Sequence, residues 1–217
     1  MKKLVSVILF LTALATLAGA QPFADEIAAF KKQDAVSFPQ KNAILFVGSS
    51  SFRKWTDVQQ YFPSCPIINR GFGGSSLPDV IRYANDIIFP YQPKQIVIYC
   101  GENDIAAADS VSGKMVYDRF RQLFAMIREK MPVVPVVYVS IKPSPSRWHM
   151  RKRMEKANKM IKSYLRHQSH AKFISVWKAM LGEDGKPMPD IFEADNLHTN
   201  AKGYAIWQKL IEPLLIK

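Results

Sequence analysis

Asp195 and His198 stand three residues apart near the end of the chain, in the sequence D-N-L-H. On a helical turn or in a tight loop, this spacing places a carboxylate and an imidazole on the same side. The carboxylate can accept one ring N–H, and the other ring nitrogen can then take a proton from a hydroxyl group. The pair is therefore half of a nucleophilic catalyst. The alternative is an ordinary helix start, with Asp195 as its cap and Asn200 and Gly203 turning the chain.

Residues 48–51, with the sequence GSSS, offer the missing hydroxyl. They form a small-residue turn after an apolar run, and such a turn exposes a serine side chain at a helix start. The backbone N–H groups that follow can stabilise an anion, either a developing oxyanion or a bound phosphate. A simple turn and a phosphate cradle are the alternatives to a nucleophile.

Two further segments carry groups suited to an anion site. Residues 69–76 read NRGFGGSS, and their glycines allow a backbone N–H to approach a ligand closely. Residues 101–104 read GEND, in which Asn103 offers a side-chain amide as a donor. Taken separately, residues 69–76 are equally consistent with a flexible connector, and residues 101–104 are consistent with an ordinary turn.

The elements that must position these segments alternate along the chain. Short, nearly continuous apolar runs are typical of parallel strands covered on both faces, and amphipathic stretches lie between them. This predicts an α/β fold, a three-layer α/β/α sandwich with a flavodoxin-like five-stranded parallel sheet, in which ligands bind at the carboxyl ends of the strands. The predicted strands are Ala43 to Val47, Ile67 to Asn69, Gln95 to Cys100, Val133 to Ser140 and Lys172 to Val176. The predicted helices are Pro22 to Ala35, Leu77 to Ile88, Gly113 to Met131, Arg147 to Gln168 and Ala201 to Leu215.

Taken together, the four polar segments resemble the sequence blocks of the SGNH hydrolases, the GDSL-type esterases and acylhydrolases, in residue type, order and approximate spacing. The resemblance extends over nearly all of residues 21–217. In that family the first block reads G-D-S with the serine as nucleophile, which corresponds to Ser50 here. Ser49 replaces the family's aspartate, so the choice among Ser49, Ser50 and Ser51 stays open, although Ser50 is in register after the glycine.

The resemblance implies a catalytic triad of Ser50, His198 and Asp195. It also implies an oxyanion hole made by the backbone N–H groups of Ser50 and Gly74 and the side-chain amide of Asn103. His198 would act as general base and then as general acid, with Asp195 orienting its ring. The scheme requires no metal and no organic cofactor.

The expected function is a secreted serine esterase that cleaves carboxylic esters, with short acyl groups such as acetyl, through an acyl-enzyme. A weaker likeness points to the platelet-activating-factor acetylhydrolase branch. Two alternatives remain: a non-catalytic flavodoxin-like module that binds phosphate or another ligand, and an interaction protein that has kept the fold without turnover. The ester substrate could be a small molecule, a lipid or a glycan.

The first 20 residues predict a signal peptide, with basic residues, an apolar run and a small-residue end. Cleavage near Ala20/Gln21 would leave a single domain over residues 21–217, exported to the periplasm or the extracellular space. The chain lacks a later run of about 20 apolar residues, so no transmembrane segment is expected. Cys65 and Cys100 fall at opposite ends of predicted parallel strands, which predicts unpaired thiols.

The formal net charge is +12, and much of it lies in the predicted basic helix over residues 147–172. We interpret this helix as a solvated basic face over a buried apolar stripe, with at most weak contact with anionic surfaces. It has no base-reading motif, so nucleic acid is not an expected partner. His149, His167 and His170 are expected to be surface groups. Residues 140–148 either form one wall of the substrate pocket or serve as a proline-rich connector.

Overall fold

The computed structural model describes residues 21–217, and the predicted signal peptide over residues 1–20 lies outside the described residues. The strands are β1 (Ile44–Gly48), β2 (Ile67–Gly71), β3 (Gln95–Tyr99), β4 (Val136–Val139) and β5 (Ala171–Ile174). The α-helices are α1 (Ala24–Val36), α2 (Ser50–Arg53), α3 (Val58–Tyr61), α4 (Leu77–Arg82), α5 (Ala84–Ile87), α6 (Glu102–Ala106), α7 (Gly113–Lys130), α8 (Arg151–Leu165) and α9 (Ala201–Ile211). Short 3₁₀ turns cover Phe89–Tyr91, Pro145–Met150, Lys178–Met180, Pro189–Ile191 and Glu212–Leu214.

The five strands form one sheet in the order β2-β1-β3-β4-β5, and every neighbouring pair is parallel. This is the flavodoxin-like strand order, in which the order reverses between β1 and β3. In the register of the sheet, Gly48 at the end of β1 lies between Gly71 of β2 and Tyr99 of β3. The predicted three-layer α/β/α fold with a five-stranded parallel sheet is confirmed.

Alternate residues of the strands point to opposite faces of the sheet and pack into two apolar cores. On β1, Leu45 and Val47 join a core formed with α1, α4, α5, α7 and α8, whereas Ile44 and Phe46 join one formed with α2, α3 and α9. Both faces are therefore buried, which explains why the strands read as continuous apolar runs rather than as alternating patterns.

Most predicted elements shift by a few residues at their ends, and three differences are larger or have a visible backbone cause. The predicted strand from Val133 begins only at Val136, since Pro135 has no N–H to donate to the sheet. The predicted helix from Leu77 to Ile88 breaks at Tyr83, where φ is −99° and ψ is 8°. The predicted helix from Arg147 starts at Arg151, because the chain first passes through a 3₁₀ turn in which Arg147 is not helical.

The basic stretch behaves largely as expected. Met154, Ala157, Ile161 and Leu165 are buried under α8, and Tyr164 is half-buried beside them. The imidazole-bearing residues His149, His167 and His170 are exposed, as predicted.

Cys65 and Cys100 are both buried free thiols, so the prediction of unpaired cysteines is confirmed. Within residues 21–217, none of the helices combines the length and apolarity that crossing a bilayer would require.

Candidate active site

Ser50 stands at a sharp turn between β1 and α2, at the carboxyl edge of the sheet. Gly48 ends the strand with φ at +137°, and a Cβ atom there would lie 2.0 Å from the carbonyl oxygen of Tyr99. Only glycine permits this close approach of two strands. The Ser49 N–H then donates to the same Tyr99 oxygen at 2.9 Å, and the chain turns into α2 with Ser50 as its first residue. The turn presents the Ser50 side chain, half-buried, at the edge where parallel α/β folds bind ligands.

The loop before α9 brings an imidazole to this serine. His198 Nε2 lies 2.9 Å from Ser50 Oγ, and His198 Nδ1 lies 2.6 Å from Asp195 Oδ2. Asp195 Oδ1 accepts the backbone N–H groups of Leu197 and His198, each at 2.9 Å, which closes the loop around the carboxylate. Asp195 is therefore not a helix cap, because the cap of α9 is the side chain of Asn200, which accepts from the next turn.

The hydrogen bonds around Asp195 also decide its charge. Its limited burial disfavours the ionised form and so raises the pKa. The hydrogen bonds from the His198 ring and from the N–H groups of His198 and Leu197 favour the ionised form, and their effect is larger. The pKa of Asp195 therefore lies well below its usual value of 3.8. The carboxylate is thus available to hold the His198 Nδ1 proton across the neutral and mildly acidic pH range.

Gly74 and Asn103 approach the nucleophile turn through Ser49, the residue before Ser50, whose Oγ lies 2.7 Å from Asn103 Nδ2. A Cβ atom at Gly74 would lie 3.8 Å from Asn103 Nδ2, so the two groups are neighbours. The backbone N–H groups of Ser50 and Gly74 have no acceptor among residues 21–217. The Gly73 N–H is bound by Glu26 Oε2 at 3.1 Å, which ties the glycine loop to α1. The structure thus brings together all five residues singled out in the sequence.

The Asn103 amide is held on both sides. Its Nδ2 donates to Ser49 Oγ at 2.7 Å and to the carbonyl oxygen of Ser75 at 3.1 Å. Its Oδ1 accepts from Arg147 Nη1 at 2.9 Å. Both amide hydrogens already have acceptors, so an oxyanion would have to displace either Ser49 Oγ or the Ser75 carbonyl oxygen.

A buried ionic cluster lies behind Asn103. The Glu102 carboxylate accepts Lys142 Nζ at 2.5 Å, Tyr99 Oη at 2.6 Å and Ser144 Oγ at 3.1 Å, and its Oε1 lies 3.5 Å from Arg147 Nη1. Burial alone would raise the pKa of Glu102, but the charges of Lys142 and Arg147 and these hydrogen bonds outweigh it, so the pKa is lowered. Burial lowers the pKa of Lys142 in turn, although its pairing with Glu102 opposes the shift.

Arg147, Lys142 and Glu102 are the residues near the site that the sequence reading missed. The basic composition of residues 147–172 predicts a solvated Arg147, and the structure corrects this because the guanidinium group turns inward to Asn103. The signal was available, since Lys142 and Arg147 follow β4 and so open onto the same carboxyl edge as the other segments. Residues 140–148 do border the site: Ser146 donates through N and Oγ to the Asn196 carbonyl oxygen at 3.1 and 2.9 Å.

Comparison with known proteins gives the family. The model of the GDSL-like lipase/acylhydrolase family matches residues 45–206. Comparison with curated proteins gave no significant match.

Similar solved structures share the fold. One is a Streptococcus pneumonia protein named for platelet activating factor, with a TM-score of 0.77 and 19% identity over 88% of this chain and 92% of that one. A GDSL-like lipase from Bacteroides thetaiotaomicron has a TM-score of 0.72 and 17% identity over 87% of this chain and 96% of that one. A variant of an acetyl-xylooligosaccharide esterase from Geobacillus Stearmophilus has a TM-score of 0.63 and 14% identity over 82% of this chain and 98% of that one.

The family match covers most of the chain, so the protein belongs to the GDSL-like lipase/acylhydrolase family and is a carboxylic ester hydrolase. This decides between the enzyme and the flavodoxin-like binding module in favour of the enzyme.

Proposed function

We propose that the protein hydrolyses carboxylic esters through an acyl-enzyme on Ser50. One geometric relationship carries the proposal: His198 Nε2 lies 2.9 Å from Ser50 Oγ, while the other ring nitrogen lies 2.6 Å from Asp195. Both distances are within hydrogen-bond reach, which is the condition for a base to take a proton from a nucleophile and for a carboxylate to fix the base's tautomer.

The reaction has two halves. Ser50 Oγ attacks the ester carbonyl carbon while its proton passes to His198, and the tetrahedral intermediate collapses as His198 returns that proton to the leaving alcohol. Water then attacks the acyl-enzyme, with His198 as base, and releases the carboxylic acid and free Ser50. Asp195 stabilises the imidazolium that forms in each half. None of these steps calls for a metal or an organic cofactor.

The oxyanion of both intermediates is assigned to three donors: the N–H groups of Ser50 and Gly74 and the Asn103 amide. The two backbone donors have no competing acceptor among residues 21–217, and Asn103 Nδ2 lies beside Gly74. Loss of one such donor costs about 3 to 4 kcal/mol of transition-state stabilisation. Asn103 joins this hole by exchanging the Ser49 hydroxyl for the oxyanion.

The acyl group is assigned as short, with acetyl as the first candidate. Five cavities of about 400 to 680 Å³ in the described part of the chain are lined by other residues, and none of these five includes Ser50, Asn103 or His198. A long acyl chain would require an apolar tunnel at the nucleophile. The fold relatives include an acetyl-xylooligosaccharide esterase, which supports acetyl as the group to test first.

Export of the enzyme and weak contact with anionic surfaces belong to the same proposal. Residues 1–20 have the composition of a signal peptide, and N-terminal sequencing of exported protein should begin near Gln21.

On the 147–172 face, Lys159, Lys162 and Lys172 are exposed and have no carboxylate within 4.0 Å among residues 21–217. Binding to anionic vesicles that falls steeply with salt would support this contact, and salt-independent or absent binding would refute it.

A fluorophosphonate probe tests the central assignment. We expect one adduct on Ser50, located by peptide mass spectrometry, and loss of labelling in His198→Ala and Ser50→Ala. Labelling of Ser49 or Ser51 instead would overturn the choice of nucleophile.

Nitrophenyl esters of increasing acyl length test the acyl group. A higher kcat/KM for long acyl chains than for acetate would overturn the short-acyl assignment.

A further inference from the structure

Arg147 reaches the candidate active site from the segment that follows β4. Its Nη1 donates to Asn103 Oδ1 at 2.9 Å and lies 3.5 Å from the buried Glu102 Oε1. Only 19% of its side chain is exposed, unlike the solvated lysines of α8. The guanidinium group thus lies between the amide of the proposed oxyanion hole and a buried carboxylate.

This contact determines which way the Asn103 amide points. A guanidinium group has only donors, so it can meet Oδ1 of the amide but repels Nδ2. Turning the amide by half a turn would place Nδ2 against Arg147 and Oδ1 against the Ser75 carbonyl oxygen, leaving two mismatched contacts. Arg147 therefore keeps Nδ2 directed at Ser49, on the side of Gly74 and Ser50.

The same contact strengthens the amide as a donor. A cation bound to the amide oxygen draws electron density from the nitrogen, and hydrogen bonds in such chains polarise one another. The effect is largest where solvent is excluded, and Glu102 and Lys142 beneath the guanidinium group are almost fully buried.

The position of Arg147 is itself fixed by this cluster. Glu102 is held by Tyr99, Lys142 and Ser144, and its negative charge is available to both cations. The charge of Lys142 is enough to balance that of Glu102. The cluster of Glu102, Lys142 and Arg147 therefore has a net charge of +1, and Arg147 places it at the edge of the oxyanion hole.

We propose that Arg147 is a positioning residue of this hydrolase, which acts through Asn103 by fixing and polarising its amide for the oxyanion. The inference rests on the proposed function, because it takes Asn103 as an oxyanion donor. It does not require Arg147 to touch the ester.

A double-mutant cycle on nitrophenyl acetate tests it. We expect Arg147→Met to lower kcat about ten- to a hundredfold, which is no more than the loss of kcat on removing an oxyanion donor outright. The KM should change less than about threefold. In the Asn103→Ala background, the same substitution should lower kcat less than about threefold further, because its target is already gone. An equal loss in both backgrounds would overturn the proposal and show an effect that does not pass through Asn103.

Matched variants separate this role from a structural one. Arg151→Met removes a guanidinium group that packs over Trp148 and has no contact with Asn103, and it should leave kcat near the wild-type value. Thermal unfolding checks that each variant is folded. If Arg147→Met does not fold, Arg147→Lys and Arg147→Ala take its place. Recovery of kcat for the alanine variant on adding methylguanidinium supports the proposal, and absence of recovery in a folded protein opposes it.

The two proposals fail differently. If Ser50→Ala keeps its esterase activity, the proposed function is wrong whatever Arg147 does. If Ser50→Ala is inactive but Arg147→Met keeps full kcat, the esterase mechanism stands and the positioning role is wrong.

Discussion

Asn103 Nδ2 lies 2.7 Å from Ser49 Oγ, and Ser49 stands where the related hydrolases carry the aspartate of their G-D-S block. The second amide hydrogen goes to a backbone oxygen, that of Ser75, which cannot turn away. The hydroxyl of Ser49 can rotate about its side-chain bond. The hydrogen that Asn103 offers to an oxyanion is therefore the one now accepted by Ser49.

Ser49→Ala should raise kcat for a short ester. The substitution removes the acceptor that competes with the oxyanion, and a neutral hydrogen bond of this kind contributes about 0.5 to 1.5 kcal/mol. We expect kcat on nitrophenyl acetate to rise about two- to tenfold, while the free energy of unfolding falls by about 1 kcal/mol. Ser51→Ala is the control, since it removes a neighbouring buried hydroxyl with no contact to Asn103. A lower kcat for Ser49→Ala would show that the hydroxyl supports the amide rather than competing for it.

Asp195→Asn should lower kcat about a hundredfold or more without unfolding the protein. The amide can keep the loop closed through its oxygen, but it no longer stabilises the imidazolium or imposes the required tautomer on His198. The comparison of kcat and of the thermal unfolding midpoint for the two proteins measures this. A loss below about threefold would remove Asp195 from the mechanism.

The lowered pKa of Asp195 excludes this residue as the source of the acid limb in the pH profile of kcat. A carboxyl group whose pKa falls on folding stays ionised above that pKa, so Asp195 keeps its charge throughout the mildly acidic range. The acid limb of the wild-type kcat profile should therefore not arise from Asp195. In Asp195→Asn the limb should keep its shape, and disappearance of the limb would contradict the assignment.

The fold and the four polar segments could be predicted because each depends on short stretches of sequence. Apolar runs identify buried parallel strands, and the carboxyl ends of such strands meet at one edge of the sheet. Ser50 and Asn103 follow the two strands between which the order reverses, so their proximity follows from topology alone. The position of His198 is different, because it comes from a loop and was assigned by resemblance to a family block.

The place of Arg147 at the carboxyl edge, after β4, could be predicted from the sequence, but the contacts of Arg147 and Glu102 could not, because they depend on where individual side chains turn. Arg147 sits in a stretch of basic residues whose others are mostly solvated, and composition cannot separate it from them. Glu102 lies between Gly101 and Asn103 in what reads as a polar turn, yet it is 4% exposed. Buried charges of this kind are paired only through tertiary contacts.

Glu26 links the first helix to the glycine loop, and its removal should reduce activity from a distance. Its Oε2 accepts the Gly73 N–H at 3.1 Å and pairs with Arg53 Nε at 2.7 Å. Glu26→Ala frees the loop that presents the Gly74 N–H, so we expect kcat on nitrophenyl acetate to fall about three- to tenfold, a modest part of what the loss of an oxyanion donor costs. Glu26→Gln keeps an acceptor for Gly73 and should retain more of the activity. Equal losses for the two variants would instead point to the ion pair with Arg53.

Glu102 should contribute strongly to stability as well as to the site. Breaking a buried ion pair by removing one partner costs about 3 to 5 kcal/mol, because the other charge is left uncompensated. Glu102→Gln is expected to lose this much in urea unfolding. Glu102→Gln combined with Lys142→Met should regain part of the loss, since both charges are then gone. A double variant less stable than Glu102→Gln would contradict the ion-pair explanation.

The same carboxylate should make stability depend on acid in a defined direction. The pKa of Glu102 in the folded protein is lowered from its usual value of 4.5. Its contribution is therefore fully present above that value and is lost as the pH falls toward the folded pKa. Asp104, whose pKa is raised chiefly by burial, acts in the opposite direction but is common to both proteins compared. The unfolding midpoint of the wild type should thus fall more steeply than that of Glu102→Gln below about pH 4.5. Parallel curves for the two proteins would mean that the buried cluster does not hold Glu102 ionised, and the charge balance assigned to Lys142 and Arg147 would then be wrong.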